Sequence, residues 1–127
     1  MMRGQPPEWP ARGSVYAVEL PHGGELVLVV SSDARNQHWP SAVVARIITR
    51  ESLGELEPIL LGQQTVVSLG DLEPVQGVAL LDFLYTLDQE DIPATSFLGK
   101  VTAEAMQAVN GALISALDLP PYEFIQE

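Results

Sequence analysis

Arg12-Gly13-Ser14-Val15-Tyr16-Ala17-Val18-Glu19-Leu20 runs through Pro21-His22-Gly23-Gly24-Glu25 into Leu26-Val27-Leu28-Val29-Val30-Ser31-Ser32-Asp33. A polar segment, Ala34-Arg35-Asn36-Gln37-His38-Trp39-Pro40, precedes Ser41-Ala42-Val43-Val44-Ala45-Arg46-Ile47-Ile48-Thr49. The first part alternates small or polar residues with apolar ones, the pattern of a half-buried strand with Val15, Ala17 and Leu20 inward. Pro21 to Gly24 is turn chemistry. Residues 26–30 are continuously apolar and mostly β-branched, which suits a strand buried on both faces. Residues 31–40 are polar and end in proline, and predict a loop. Residues 41–49 predict a third strand.

Working outward, the chain reads as more short strands and one helix. Residues 1–11 hold three prolines and Trp9, and predict a flexible arm. Residues 51–57 predict a connection, 58–61 a short strand, 65–69 another, and 70–77 a turn-rich link. The apolar run 78–87, broken by Asp82, predicts one long strand or two abutting ones. Asp82 itself is expected to bond backbone amides rather than act as a base. Residues 88–93 predict a turn or 3₁₀ piece and 97–101 a last strand. Thr102 is suited to cap a closing helix, its hydroxyl accepting a first-turn amide and Glu104 favoured by the helix dipole. Met106, Val109, Leu113, Ala116 and Leu117 fall on one face of that helix. Asp118 and Pro120-Pro121 stop it. About seven short strands and a terminal helix predict a mainly β fold, a small SH3-like barrel covered by a C-terminal helix. The division is an arm over 1–11, a domain over 12–118 and a tail over 119–127.

Composition narrows the chemistry. The chain has 127 residues and no cysteine, which excludes disulfides, thiolate metal sites and cysteine nucleophiles. No apolar run reaches the ~20 residues of a membrane span. No signal peptide is evident at the start, so the expected location is the cytoplasm. His22 and His38 lie in separate loops without metal-ligand spacing, so no metal is expected and His22 reads as a surface histidine. Ser31-Ser32-Asp33 lacks a nucleophile elbow, and no phosphate-binding glycine loop occurs. Net charge is −11. Residues 1–50 carry five arginines against four acids, whereas 51–127 carry thirteen acids against Lys100 alone. That body repels phosphate, so polyanion contact must use the arginines of the first half.

The order of these segments resembles the MazF/PemK toxin family, dimeric endoribonucleases of bacterial toxin–antitoxin pairs. Arg12-Gly13-Ser14-Val15-Tyr16 is similar to that family's R-G-[DE]-[IV]-[WY] opening. Val27-Leu28-Val29-Val30-Ser31-Ser32-Asp33 is similar to its second strand. Asp82-Phe83-Leu84-Tyr85-Thr86-Leu87-Asp88 and Gly99-Lys100-Val101-Thr102 resemble its later D-x-[IV]-x-x-[IL]-D and G-K-[IVL]-[ST] patterns. The resemblance covers roughly residues 12–118. It implies a MazF/CcdB/PemK-like barrel, a homodimer, an antitoxin partner, single-stranded RNA as substrate, and no cofactor. It also implies Thr49 as a catalytic residue and Asn36 at the substrate, while the charge distribution leaves Arg35, Arg46 and Arg50 as the basic residues to bind it.

One departure bears on activity. The family's Arg-Pro pair before the second strand is replaced by Glu25-Leu26. That arginine stabilises or protonates at the scissile phosphate while the RNA 2′-hydroxyl attacks. A carboxylate there opposes the charge that develops, so cleavage is expected to be weakened or lost. The alternative is a non-catalytic dimeric module of the same fold acting on a protein, in the manner of CcdB. The tail, with Tyr122, Phe124 and Ile125 among acids, resembles an antitoxin segment and reads either as a competitor for its own groove or as a frayed end.

Overall fold

The computed structural model describes residues 5–69 and 76–118. Expectations for residues 1–4, for 70–75 in the turn-rich link and for the 119–127 tail lie outside the described residues. Six strands are present: β1 (Ser14–Leu20), β2 (Gly23–Val29), β3 (Ser41–Thr49), β4 (Val66–Ser68), β5 (Gly77–Asp88) and β6 (Phe97–Lys100). They form one antiparallel sheet in the order β4-β5-β3-β2-β1-β6. The fold is mainly β with a C-terminal helix, as the sequence predicts. The sheet is open, with β4 and β6 at its edges. No helix among the described residues is long and apolar enough to cross a membrane.

β1 and β2 meet at a two-residue turn, Pro21-His22, because Leu20 pairs with Gly23. Along β2 the continuous apolar run serves both faces, as expected. Leu28 and Val30 join the cluster of Val15, Ala45, Ile47, Val67, Ala79 and Leu81. Val27 and Val29 join Tyr16, Val18, Ala42, Val44 and Phe97 on the other face. β1 departs from simple alternation. Tyr16 and Val18 are buried while Ala17 is exposed. The register with β6 shifts between Val15 and Tyr16, so the strand fills the first core with Val15 and the second with Tyr16.

Two segments differ from expectation for local reasons. The 31–40 loop contains the helix α1 (Asp33–His38). Ser32 caps it, its Oγ accepting from the Arg35 amide at 3.3 Å, and Asp33 lies in the first turn, where the dipole favours an acid. Trp39, held extended by the following proline, ends it. The connection after β3 winds into α2 (Arg50–Leu53), a 3₁₀ turn, and α3 (Glu57–Leu61). Residues 58–61 are therefore helical rather than a strand. Pro58 sits in the first turn of α3, a position where its missing N–H has no cost.

β5 is a single long strand with a large irregularity. Leu84 pairs with Ala45, yet Leu80 pairs with the next residue, Arg46. Leu81-Asp82-Phe83 bulges out between them, burying Leu81 and leaving Phe83 exposed. Asp82 is exposed and accepts from the Thr65 hydroxyl at 2.7 Å, a side-chain donor in place of the expected backbone amides. At its start β5 comes very close to β3. A Cβ on Gly77 would stand 2.5 Å from the Ile48 carbonyl oxygen, so this close approach requires glycine.

The last helix, α4 (Ala103–Leu117), is capped by Thr102, whose hydroxyl accepts from the Ala105 amide at 3.1 Å. It lays Val109 and Ala112 into the first core, with Met106, Leu113 and Ala116 packed beside them. Leu117, expected on that face, is 54% exposed.

Candidate active site

Glu25 stands near the start of β2, opposite Val18 of β1. Arg46 lies opposite Val27 on β3, on the same face of the sheet one step along. Thr49 ends β3 and caps α2. These three, with Leu26, Ile48 and Ser52, line an open groove of about 210 Å³. The Thr49 hydroxyl accepts from the Ser52 amide at 3.2 Å and lies 3.0 Å from the Ser52 hydroxyl. The cap that starts α2 thus also fixes the Thr49 side chain at the groove.

Glu25 is the hub. Its Oε1 lies 3.5 Å from Arg46 Nε and 3.3 Å from His22 Nε2, and its Oε2 accepts from the Tyr85 hydroxyl. The carboxylate side chain is 12% exposed, whereas Arg46 is 47% and His22 65% exposed. The Tyr85 hydrogen bond holds the Glu25 carboxyl below its ordinary range. Partial burial opposes this, and His22 and Arg46 reinforce it. Burial, then the bond to the carboxylate and its charge, push the Tyr85 phenol up, against the smaller influence of Arg46. At neutral pH the cluster is therefore a carboxylate, a neutral phenol and a guanidinium.

Not every residue expected at the substrate is here. Asn36 is 1% exposed. Its Nδ2 donates to the Pro10 carbonyl at 2.8 Å and the Ser31 carbonyl at 3.0 Å, and its Oδ1 accepts from Ser31 Oγ at 2.6 Å. A side chain so buried and satisfied has no atom left for a substrate, and Asn36 braces the arm against the end of β2. Pro10 and Ala11 are buried with it, so the arm is docked at its end. Arg35 is on the same helix, beyond the end of β2 opposite to Glu25. Its Nη1 donates to the Ser41 carbonyl at 2.8 Å, and its guanidinium lies 5.6 Å from the centre of the Trp39 ring. Arg50 follows Thr49 in the first turn of α2, its amide donating to the Gln76 carbonyl at 2.9 Å. Sequence reasoning passed over His22 and Tyr85. His22 had a usable signal, a histidine three residues before a glutamate across a tight turn. Tyr85 had none, because its reach to Glu25 depends on the sheet order.

The groove thus brings hydroxyls, one guanidinium and one carboxylate together at one end of the antiparallel sheet. The model of the PemK-like, MazF-like toxin of type II toxin–antitoxin systems matches residues 11–117. The chain belongs to this family. It is 34% identical over 112 residues to the endoribonuclease MazF4 of Mycobacterium tuberculosis, covering 87% of this chain and 95% of that one. A mycobacterial endoribonuclease solved in complex with its cognate antitoxin superposes with a TM-score of 0.73 at 33% identity, over 87% of this chain and 97% of that one. MazF from a MazE–MazF structure of Deinococcus radiodurans shares the fold, with a TM-score of 0.69 at 23% identity over 90% and 100%.

Proposed function

We propose that this protein is the toxin of a toxin–antitoxin pair, a cytoplasmic homodimer that cleaves single-stranded RNA without a metal and is held in check by an antitoxin protein. The observation that carries the reading is the convergence of Arg46 and Thr49 on one groove, with Arg46 3.5 Å from Glu25. Glu25 stands where the family resemblance implies an arginine, and Arg46 brings a guanidinium to 3.5 Å from it. A positioned cation of this kind stabilises the charge that builds on a phosphate under attack by the 2′-hydroxyl, and the Thr49 hydroxyl donates beside it. Arg50, next along the chain, adds positive charge at the mouth.

Glu25 also exacts something. A phosphate must compete with a carboxylate for Arg46, so binding is weaker and cleavage slower than in relatives with arginine at that place. The competing reading, a catalytically silent dimer that acts on a protein, is favoured by the acidic second half, thirteen acids against Lys100. Incubation of the purified protein with a mixed single-stranded RNA pool in EDTA separates them. The expected result is slow cleavage that leaves 5′-hydroxyl ends. Intact RNA at micromolar protein would select the silent reading.

A further inference from the structure

We propose that Glu25 and His22 are the general base and general acid of the cleavage, an inference that rests on the endoribonuclease reading above. A strand break by 2′-hydroxyl attack needs one proton removed and one supplied. The 2′-oxygen loses its proton as the bond to phosphorus forms. The 5′-oxygen gains one as its bond to phosphorus breaks, giving a 2′,3′-cyclic phosphate and a 5′-hydroxyl. No water, metal or redox partner is consumed. A carboxylate and an imidazolium at the same phosphate supply this exchange.

The geometry fits the sequence of events. In the free protein Glu25 Oε1 holds two side chains, with His22 Nε2 at 3.3 Å and Arg46 Nε at 3.5 Å. An incoming phosphate is a second anion, and both side chains transfer to it. Oε1 is then free to accept the 2′-hydroxyl proton. Oε2 stays fixed by the Tyr85 hydroxyl, which orients the carboxylate without occupying the working oxygen. His22 sits on the two-residue turn between β1 and β2 and is 65% exposed. It is therefore able to swing to the leaving-oxygen side while Glu25, 12% exposed, stays in place.

Several elements bring charged or titratable groups near Glu25, and Arg50 of α2 adjoins Thr49 at the mouth. β1 contributes Glu19, whose carboxylate lies over Gly24. β3 contributes Arg46, β5 the Tyr85 phenol, and α2 brings the hydroxyls of Thr49 and Ser52 to the groove. Because the Tyr85 bond holds the Glu25 carboxyl below its ordinary range, the base is ionised through the neutral range, and the rate should fall only in acid. Glu25 thus weakens substrate binding through its charge and serves turnover through its proton affinity, two effects that separate in kinetics.

The test is single-turnover cleavage of a mixed single-stranded RNA pool in EDTA across pH, with wild type, Glu25→Gln and His22→Gln. Circular dichroism melts accompany each to confirm folding. For Glu25→Gln the maximal rate should fall about 10²-fold or more, half-saturation should come at lower RNA concentration, and the acid limb should vanish. For His22→Gln the rate should fall about 10- to 10²-fold. An oligonucleotide whose 5′-bridging oxygen is sulfur needs no acid to leave, so it should restore His22→Gln and not Glu25→Gln. Wild-type maximal rates in folded Glu25→Gln with the acid limb retained overturn the base assignment. Failure of the sulfur substrate to rescue His22→Gln overturns the acid assignment. Absence of any wild-type cleavage sinks instead the endoribonuclease reading on which both rest.

Discussion

Three side chains, His22, Arg46 and Tyr85, hold the Glu25 carboxylate at the groove. The chain reveals a glutamate where the family resemblance expects arginine. Arg46 is legible as a cation of the third strand, but its placement against Glu25 depends on the register that sets Val27 opposite Arg46. Tyr85 is the testable neighbour. Replacing it with phenylalanine removes the leading cause of the lowered Glu25 pKa, so the carboxyl should titrate nearer its ordinary value of 4.5. Carboxyl carbon chemical shifts across pH measure this, and an unchanged midpoint would contradict the assignment. The sign of the linkage follows. Glu25, lowered in the fold, adds stability above pH 4.5 that is lost as pH falls through its folded value. Tyr85, raised in the fold, adds stability below pH 10 that is lost as pH rises through its folded value. The stability difference between wild type and Tyr85→Phe should therefore be largest between these limits and narrow in acid.

Among the elements, β1 to β3 and α4 were the most legible, since alternation, β-branched runs and a threonine cap act locally. The short helices were not. The α1 segment has a Ser-Asp start that signals a cap, but six residues before a proline also read as a loop. The 58–61 run is too short for periodicity to separate strand from helix. Two positions test why these elements hold the groove in place. Gly77→Ala puts a methyl 2.5 Å from the Ile48 carbonyl, so β5 and the end of β3 must part. A loss of about 1–3 kcal/mol in urea unfolding is expected, with RNA cleavage reduced because Thr49 moves. Asn36→Ala strands the carbonyls of Pro10 and Ser31 without their donor. It should cost about 1–3 kcal/mol and leave RNA affinity unchanged. Weakened RNA binding at full stability would return Asn36 to the substrate.

Over the whole molecule, charge and exposed apolar surface set the expectations. Net charge of −11 with the arginines in the first half confines RNA to few contacts. Arg46→Ala should lower the slope of log affinity against log salt by about 0.7, one phosphate on a single strand. The bulge in β5 leaves Phe83 57% exposed, a side chain suited to the surface between two copies. Light scattering should give a dimer mass at micromolar concentration, and Phe83→Asp should weaken the dimer. A monomer at that concentration would contradict the homodimer. In the proposed cleavage, Arg46 supplies the positive charge absent at position 25. Its most direct measure is the single-turnover cleavage rate of saturating single-stranded RNA in EDTA by wild type and Arg46→Ala. A fall of about 10²–10³-fold in the variant, with the fold intact, is predicted. Equal rates would show that the cleaving charge lies elsewhere.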